Sequence, residues 1–314
     1  MAVTSTNTFS VTRNDVINSA LRTLGVIGLG ETASSEDFTN CSQALNIMIK
    51  SWAKKGWPLW TQETLAITMV DGVRQYPIGP TAGYVYSVTS TGGTGYTAGT
   101  WTATNGNGTG TDASGTYTVV DGAPAVFTIT VAGDSYTTAP TTFTLSGAGA
   151  DATITATIVG LTTNKPVRAF TGYLRNPNSY DISLMQIAKW EYNLLGNKFN
   201  ESTPNQFYYD NQLANGQLYV FNIPSASGYT CYLDTQRMFY DMTSSTDTFD
   251  FPSEWFQALK WGLAAEICAE YGVPIEQIQY YEQKAIAYIE EASNFSVEES
   301  SVYFGVDFSG FNRQ

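Results

Sequence analysis

The sequence of 314 residues, 43% of them hydrophobic, is long enough to bury one or two cores of ordinary domain size. Its net charge of −13 argues against a protein that binds nucleic acid through phosphate contacts, because such binding depends on Lys and Arg. It has no histidine, which excludes Ser-His-Asp and Cys-His catalysis and the usual zinc sites with histidine ligands.

The remaining composition predicts a protein of a reducing compartment that does not cross a membrane. The three cysteines, Cys41, Cys231 and Cys268, are far apart and form no CxxC pair, so we expect free thiols. The chain lacks the run of about eighteen apolar residues that a membrane helix requires. The first residues have neither a basic nor an apolar run, so we expect no targeting segment.

Two helices are predicted near the start of the chain. Thr12 and Asp15 have the spacing of a capping box, and Gly25 is a suitable stop. A second helix is expected from Ser34 or Ser35 to Gly56. Its apolar positions share one face: Phe38, Cys41, Leu45, Met48 and Trp52.

A β-hairpin is predicted next. Residues 64–70 and 73–78 are rich in β-forming side chains, and Asp71-Gly72 between them is a strong turn signal.

The composition changes abruptly from about Thr81 to Leu161. Lys, Arg and Glu are absent there, and the stretch is internally repeated: Gly95-Tyr96-Thr97 is echoed 40 residues later by Ser135-Tyr136-Thr137. With an alternating strand expected at residues 125–131, this predicts an inserted all-β module of two repeats.

The β pattern resumes after the repeats. Strands are expected at residues 166–170 and 228–233, and between them residues 206–210 and 217–221 flank a turn with Asn215-Gly216.

The last third returns to helix. One helix is expected from Phe251-Pro252 to about Tyr271-Gly272, and Pro274 suits the first position of another. The apolar faces consist of Trp255, Leu259, Leu263 and Ile267 in the first and of Ile275, Ile278, Ala285 and Ile289 in the second.

The predicted fold class is α+β. Helices from both chain ends form a discontinuous bundle, beside a central antiparallel β region and the inserted all-β module. The predicted parts are residues 1–80 and 164–299 for the main domain, 81–163 for the module and 300–314 for an extended docking tail.

Few groups could carry chemistry. A phosphate or calcium loop at Gly106–Asp112 is weakly indicated, since no Gly-Lys-Ser/Thr follows and β-turns explain the glycines better. Asp247 with Asp250, or residues 298–299 (two Glu), could form a glycosidase pair, although acids so close in sequence usually face water or cap a helix. We expect no enzyme, no metal and no cofactor.

Two aromatic groups are candidates for binding. Tyr96, Trp101, Tyr117 and Tyr136 could form a platform on which a sugar stacks, although packing inside the module is the favoured interpretation. In the C-terminal segment, Tyr303, Phe304, Phe308 and Phe311 follow no helical period. We expect this segment to dock onto a portal protein or a neighbouring subunit; the alternative is that it folds back on its own domain.

Several groups of residues together resemble one family. They are Ala20-Leu21-x-x-Leu24-Gly25, Leu45-Asn46-x-Met48-x-x-x-Trp52, Pro166-Val167-Arg168, Tyr173-Leu174-Arg175-Asn176, Glu191-Tyr192-Asn193, Lys198, Pro204, Tyr208-Tyr209-Asp210, Phe251-Pro252-x-x-Trp255, Leu259, Leu263-Ala264 and Glu270-Tyr271-Gly272. In this order they resemble the head-to-tail connector adaptors (tail tubular protein A-like) of short-tailed bacteriophages, over most of residues 10–80 and 165–295.

The resemblance implies a virion structural protein at the head-tail interface, assembled in the host cytoplasm. Its partners would be the portal ring, identical subunits in a ring typically of twelve, and the next tail component, a nozzle or tail tube. Double-stranded DNA would pass through the ring without sequence-specific binding. The alternatives are a glycan-binding, decoration or fibre-attachment protein that acts through the module and, with least support, a cell-wall hydrolase.

Overall fold

The computed structural model describes residues 10–52, 59–104 and 110–295. The chain divides into two compact units. The helical unit combines Met1–Trp60 with Phe239–Gln314, and the sheet unit is Thr61–Met238. The expected mixture of helix and strand is confirmed: about 27% of the described residues are helical and 35% are in strands, with a large, mostly β region.

The helices of the described residues are α1 Arg13–Leu24, α2 Ser35–Trp52, α3 Lys189–Leu194, α4 Phe256–Ile267 and α5 Ile275–Phe295. The strands are β1 Gln62–Thr68, β2 Gln75–Gly79, β3 Tyr84–Thr94, β4 Gly99–Ala103, β5 Ala113–Val120, β6 Ala123–Val131, β7 Phe143–Leu145, β8 Ala150–Val159, β9 Leu161–Thr162, β10 Arg168–Arg175, β11 Asp181–Gln186, β12 Gln206–Asp210, β13 Gly216–Phe221 and β14 Thr230–Gln236.

The predicted ends of α1 are confirmed. Thr12 and Asp15 form a reciprocal capping box, which satisfies backbone amides that the first turn leaves without partners. The hydrogen bond from the Thr12 hydroxyl lowers the pKa of Asp15. Gly25 ends the helix at φ +76°, a conformation that a side chain would strain. The predicted end of α2 at Gly56 lies outside the described residues.

Helices from both chain ends contribute to one hydrophobic core in the helical unit. Leu21, Leu45 and Leu263 are fully buried in it. The predicted apolar face of the first C-terminal helix is correct: Trp255, Leu259, Leu263 and Ile267 are all buried. In α5, Ala285 and Ile289 are buried as expected, but Ile275 is 78% exposed. Ile275 is the first residue of α5, and the buried positions of that helix lie in its second half.

The predicted hairpin of β1 and β2 is wrong. In the eight-stranded sheet the order is β1-β14-β10-β11-β12-β13-β2-β9, so β1 is the first strand and β2 the seventh, with five strands between them. The turn itself is present, with Gly72 at φ +72° and a hydrogen bond from the Val73 amide to the Val70 carbonyl. Leu65 of β1 and Ile78 of β2 nevertheless belong to one buried cluster, which indicates that the sheet curves around a shared core.

The other predicted strands of the sheet unit occur close to where they were expected. The expectation that the central β region is antiparallel is wrong in two places, because β11 pairs with β12 and β2 with β9 in parallel. β12 and β13 form an antiparallel hairpin across Asn215, and β10 and β14 pair along their length. β11 and α3 were not predicted from the sequence.

Strands β3 to β8 form a module in which the echoed sequences occupy matching positions. Each repeat has three strands, and each completes its pairing with the other repeat: β3 with β8, β6 with β5 and β4 with β7. The registers correspond, since Thr89 faces Thr155 in the first pair and Thr128 faces Thr116 in the second. The two repeats therefore exchange strands about an approximate twofold relation.

Candidate interaction surfaces

The acids considered for catalysis have structural contacts. The Asp247 carboxylate accepts hydrogen bonds from the backbone amides of Thr243 and Ser244 at 2.8 and 2.6 Å. The bond from Ser244 is the main reason that the pKa of Asp247 is lowered. This carboxylate closes a turn, which is a structural role, although the sequence predicted that these acids face water or cap a helix. Residues 298–299 lie outside the described residues.

The glycine-rich loop lies partly outside the described residues, which resume at Gly110. Thr111 donates from its amide and its hydroxyl to the Asp134 carboxylate, at 3.2 and 3.0 Å. The hydroxyl of Ser135 also donates to Asp134 and is the main cause of its lowered pKa. Among the residues that the structure describes, no three acidic or cysteine side chains are grouped so that they could hold a metal ion.

The three cysteines are free and buried. Burial raises the pKa of Cys231 to about 12, and it also raises the pKa of Cys41 and of Cys268. A raised pKa keeps a thiol protonated and unreactive at neutral pH, so these side chains act as core residues. None of the helices within the described ranges combines the length and the apolarity that a membrane span requires.

Three of the four aromatic rings considered for sugar stacking lie inside the module. Trp101, Tyr117 and Tyr136 are between 1% and 2% exposed and form its core with residues of both repeats. The Tyr136 hydroxyl donates to the carbonyl of Ala103 and accepts from the amide of Ala113, both at 2.9 Å. These three rings offer no face to an external sugar. Tyr96 alone is partly exposed.

The aromatic residues Tyr303, Phe304, Phe308 and Phe311 lie outside the described residues. Their predicted role in docking therefore stays a prediction.

A surface that was not predicted from the sequence lies at α3 and the loop after it. Trp190, Leu194 and Phe199 are 64%, 74% and 72% exposed, and we call these three residues the α3 surface. Trp190 and Leu194 are four residues apart, so they share one face of the short helix. A Trp exposed to this extent is uncommon on a free surface and common in protein interfaces.

The backbone that carries the α3 surface is held firmly on the sheet. On the opposite side of α3, Tyr192 is buried and packs on Tyr208 and Tyr219, with ring centroids 6.0 and 5.5 Å away. The Glu191 carboxylate accepts from the amide of Ala188 at the start of the helix. Lys198 donates to the carbonyls of Asn193 and Leu195 at the C-terminal end of α3. The exposed rings are thus presented on an ordered scaffold, which lowers the entropic cost of binding a partner.

Negative charge is concentrated in the helical unit. That unit has eight Lys and Arg against seventeen Asp and Glu, a net charge of −9, whereas the sheet unit has seven against eleven, a net charge of −4. On α5 the acids are all exposed: Glu276, Glu282, Glu290 and Glu291. Such a surface repels phosphates and disfavours tight binding of DNA.

Comparison with known proteins assigns the chain to a group of phage proteins. The chain matches no curated protein. Residues 128–303, more than half of the chain, match the family model described as SU10 adaptor protein. Structural adaptors of this kind are typically not enzymes. The match to this family indicates a virion component that contacts other capsid or tail proteins. The match begins within β6 and includes the α3 surface and the helices α4 and α5. The chain belongs to the SU10 adaptor protein family.

Proposed function

We propose that this phage adaptor is the head-to-tail adaptor of its virion. About twelve copies form a ring under the portal, extend the DNA channel and provide the platform for the next tail component, a nozzle or tail tube. The family match over residues 128–303 carries the proposal. The ring assembles in the host cytoplasm and remains at the head-tail interface.

The distribution of charge supports a passage for DNA. A channel must let the duplex slide, and acidic walls repel phosphates over about one Debye length, roughly 8 Å at physiological salt. With a net charge of −13 per chain and most of it in the helical unit, a ring would present a strongly acidic field.

The α3 surface supports assembly with partners. Three large side chains that are mostly exposed in the single chain would be covered in a ring or against the portal. Burial of aromatic side chains at an interface contributes a large share of binding energy. Under this proposal Tyr303, Phe304, Phe308 and Phe311 dock onto the portal or a neighbouring subunit.

The arrangement of the chain supports the same proposal. Helices from both chain ends share one hydrophobic core, which we take to be a discontinuous bundle and the core of the adaptor. Residues 81–163 project from the outside of the ring, where they do not obstruct DNA, and their part from residue 128 onward lies within the family match.

The proposal is tested by mixing the purified chain with portal rings of the same phage and imaging the mixture by negative-stain electron microscopy. A second ring stacked coaxially on the portal is expected. A chain that ignores the portal under all conditions would refute the adaptor function.

The role of the C-terminal segment needs a separate pair of variants. In one, Tyr303, Phe304, Phe308 and Phe311 are replaced by Ser; in the control, the four serines of residues 296–309 (296, 300, 301 and 309) are replaced by Ala. The aromatic variant should lose the stacked ring and the control should keep it. If both variants keep the ring, the adaptor function stands and the docking role is rejected.

A further inference from the structure

The module of β3 to β8 has a single combined strand order. Its four-stranded sheet is β6-β5-β4-β7, and its two-stranded sheet is β3-β8. β3 and β6 lie side by side, because the amide of Val85 donates to the carbonyl of Ala132 and the amide of Tyr96 to that of Gly122. The combined order β7-β4-β5-β6-β3-β8 leaves β7 and β8 as its two ends.

The two repeats differ at one of these ends. In the first repeat β5 is covered on its outer side by the five residues of β4. β8 is the counterpart of β5, and within the described part of the chain it pairs with β3 alone. The strand that would cover β8 is the counterpart of β4, but β7 has only three residues and pairs with β4.

Proline explains part of this difference. Pro140 lies 40 residues after Thr100 of β4, and proline has no amide to donate to a strand ladder. The second repeat therefore lacks a full covering strand where the first repeat has one. The outer edge of β8 is ten residues long and open in the described structure.

This edge lacks the features by which proteins normally prevent strand association. Exposed edges are usually short, interrupted by proline or guarded by charges, above all Lys. β8 contains no Lys, Arg, Glu or proline, and its one charge, Asp151, is near its start. Thr153, Thr155 and Thr157 are exposed on one face, while Ile154 and Ile158 pack on the module core.

We propose that the outer edge of β8 accepts an extended, uncharged β-strand from a different virion protein. The added strand would occupy the place that β4 occupies beside β5, and its backbone would pair with that of β8. Its side chains would resemble those of β4, small or β-branched residues with an aromatic group directed into the core, as in Gly99-Thr100-Trp101-Thr102-Ala103.

A second copy of this chain is a poorer occupant. Besides β8, the end strands that a copy offers among the described residues are β7 and β9, which have three and two residues, and β1, which carries the charged Glu63. Antiparallel pairing of two β8 edges is a twofold contact that closes after two subunits. The proposed strand addition does not require that the chain form a ring under the portal. It requires only that the chain be a component of the virion.

Photo-crosslinking in the assembled phage tests this proposal. Thr155 on β8 is replaced by the photo-reactive residue p-benzoylphenylalanine; the matched control carries it at Thr116 on β5, an exposed position whose strand is covered on both sides. A crosslink from position 155 to a different virion protein, at least tenfold stronger than that from position 116, is expected. A crosslink to a second copy, or equal yields at the two positions, would overturn the proposal.

Hydrogen exchange of the unmodified chain provides a readout that does not depend on the substitutions. Amides of residues 150–159 should exchange at least tenfold more slowly in the virion than in the free chain, while those of residues 113–120 should change little. Equal exchange of residues 150–159 in the two states would overturn the proposal even if the variants failed to fold.

Discussion

The hydroxyl of Tyr271 donates a 2.7 Å hydrogen bond to the carboxylate of Asp37, which lies 234 positions earlier in the sequence. The same carboxylate forms the capping box at the start of α2, since it accepts from the amide and the hydroxyl of Ser34. One acid thus caps an N-terminal helix and holds the segment after α4 against it. The bond thus connects the N-terminal and the C-terminal segments of the helical unit.

Replacing Tyr271 with Phe should lower the free energy of unfolding by about 1 kcal/mol, because a hydrogen bond to a charged acceptor is lost at a partly exposed site. The control is Tyr281→Phe, which removes a longer bond of 3.2 Å to the neutral carbonyl of Thr23 and should cost about half as much or less. Urea unfolding of the two variants and the wild type measures the difference. Equal losses would show that the charge on Asp37 contributes nothing to this contact.

The pH dependence of stability should reflect Asp37. The hydrogen bond from Ser34, followed by that from Tyr271, lowers the pKa of Asp37 below its ordinary value of 3.8. A carboxylate with a lowered pKa in the folded state stabilises the fold above its unfolded pKa and loses this effect as the pH falls through the folded pKa. The wild type should therefore lose stability on acidification below about pH 4. Asp37→Asn should be less stable at pH 7 and show a smaller acid loss, as thermal unfolding between pH 7 and pH 3 would measure; an unchanged acid loss would contradict this assignment.

The repeats supply a matched pair for testing the module core. Tyr136→Phe leaves the buried carbonyl of Ala103 and amide of Ala113 without the hydroxyl that now bonds both, at a cost of about 2 kcal/mol. Tyr96→Phe changes the counterpart in the other repeat, which is partly exposed, and should cost less than about 0.5 kcal/mol. Hydrogen exchange of residues 113–120 reports the difference, with faster exchange expected in Tyr136→Phe. Similar exchange in both variants would mean that the hydroxyl of Tyr136 does not stabilise the module.

The α3 surface can be tested through assembly. Trp190→Ser combined with Leu194→Ser should weaken association with portal rings at least tenfold. The double variant removes two apolar side chains that are exposed in the single chain and would be buried in the complex. The unfolding free energy should change by less than about 0.5 kcal/mol, since both residues are exposed in the single chain. Leu213→Ser is the control, at a residue 96% exposed elsewhere on the sheet unit. Sedimentation with portal rings measures binding, and normal binding by the double variant would exclude this surface from assembly.

The sequence predicted the local features of the fold more accurately than its long-range pairing. The capping box of Thr12 and Asp15 and the stop at Gly25 depend on neighbouring residues, and both are present. Asp71-Gly72 also forms its turn, but a turn does not decide which strands pair. β1 instead pairs with β14, where Leu65 faces Leu233, because strand partners are chosen by burial across the whole sheet.

The surfaces were harder to predict than the core. The stripe of α4 repeats regularly and was recognised, whereas Ile275 fits the period of α5 and yet lies in an exposed first turn. Trp190 and Leu194 sit on a helix of only six residues, too short to show a period, so their exposure was not evident. For the module, composition identified an all-β stretch. The exchange of strands between the repeats could not be predicted, because no local sequence signal shows that β3 pairs with β8 and β6 with β5.

The exchanged strands bear on how the module could have arisen. A lone repeat would have its first and third strands, β3 and β5, without the partners that the other repeat provides. Such a fragment could complete its hydrogen bonding only by meeting a second copy, in a reaction that depends on concentration. Tandem duplication within one chain would make that meeting intramolecular and independent of dilution. The geometry is thus that of a homodimer with exchanged strands, joined within a single chain.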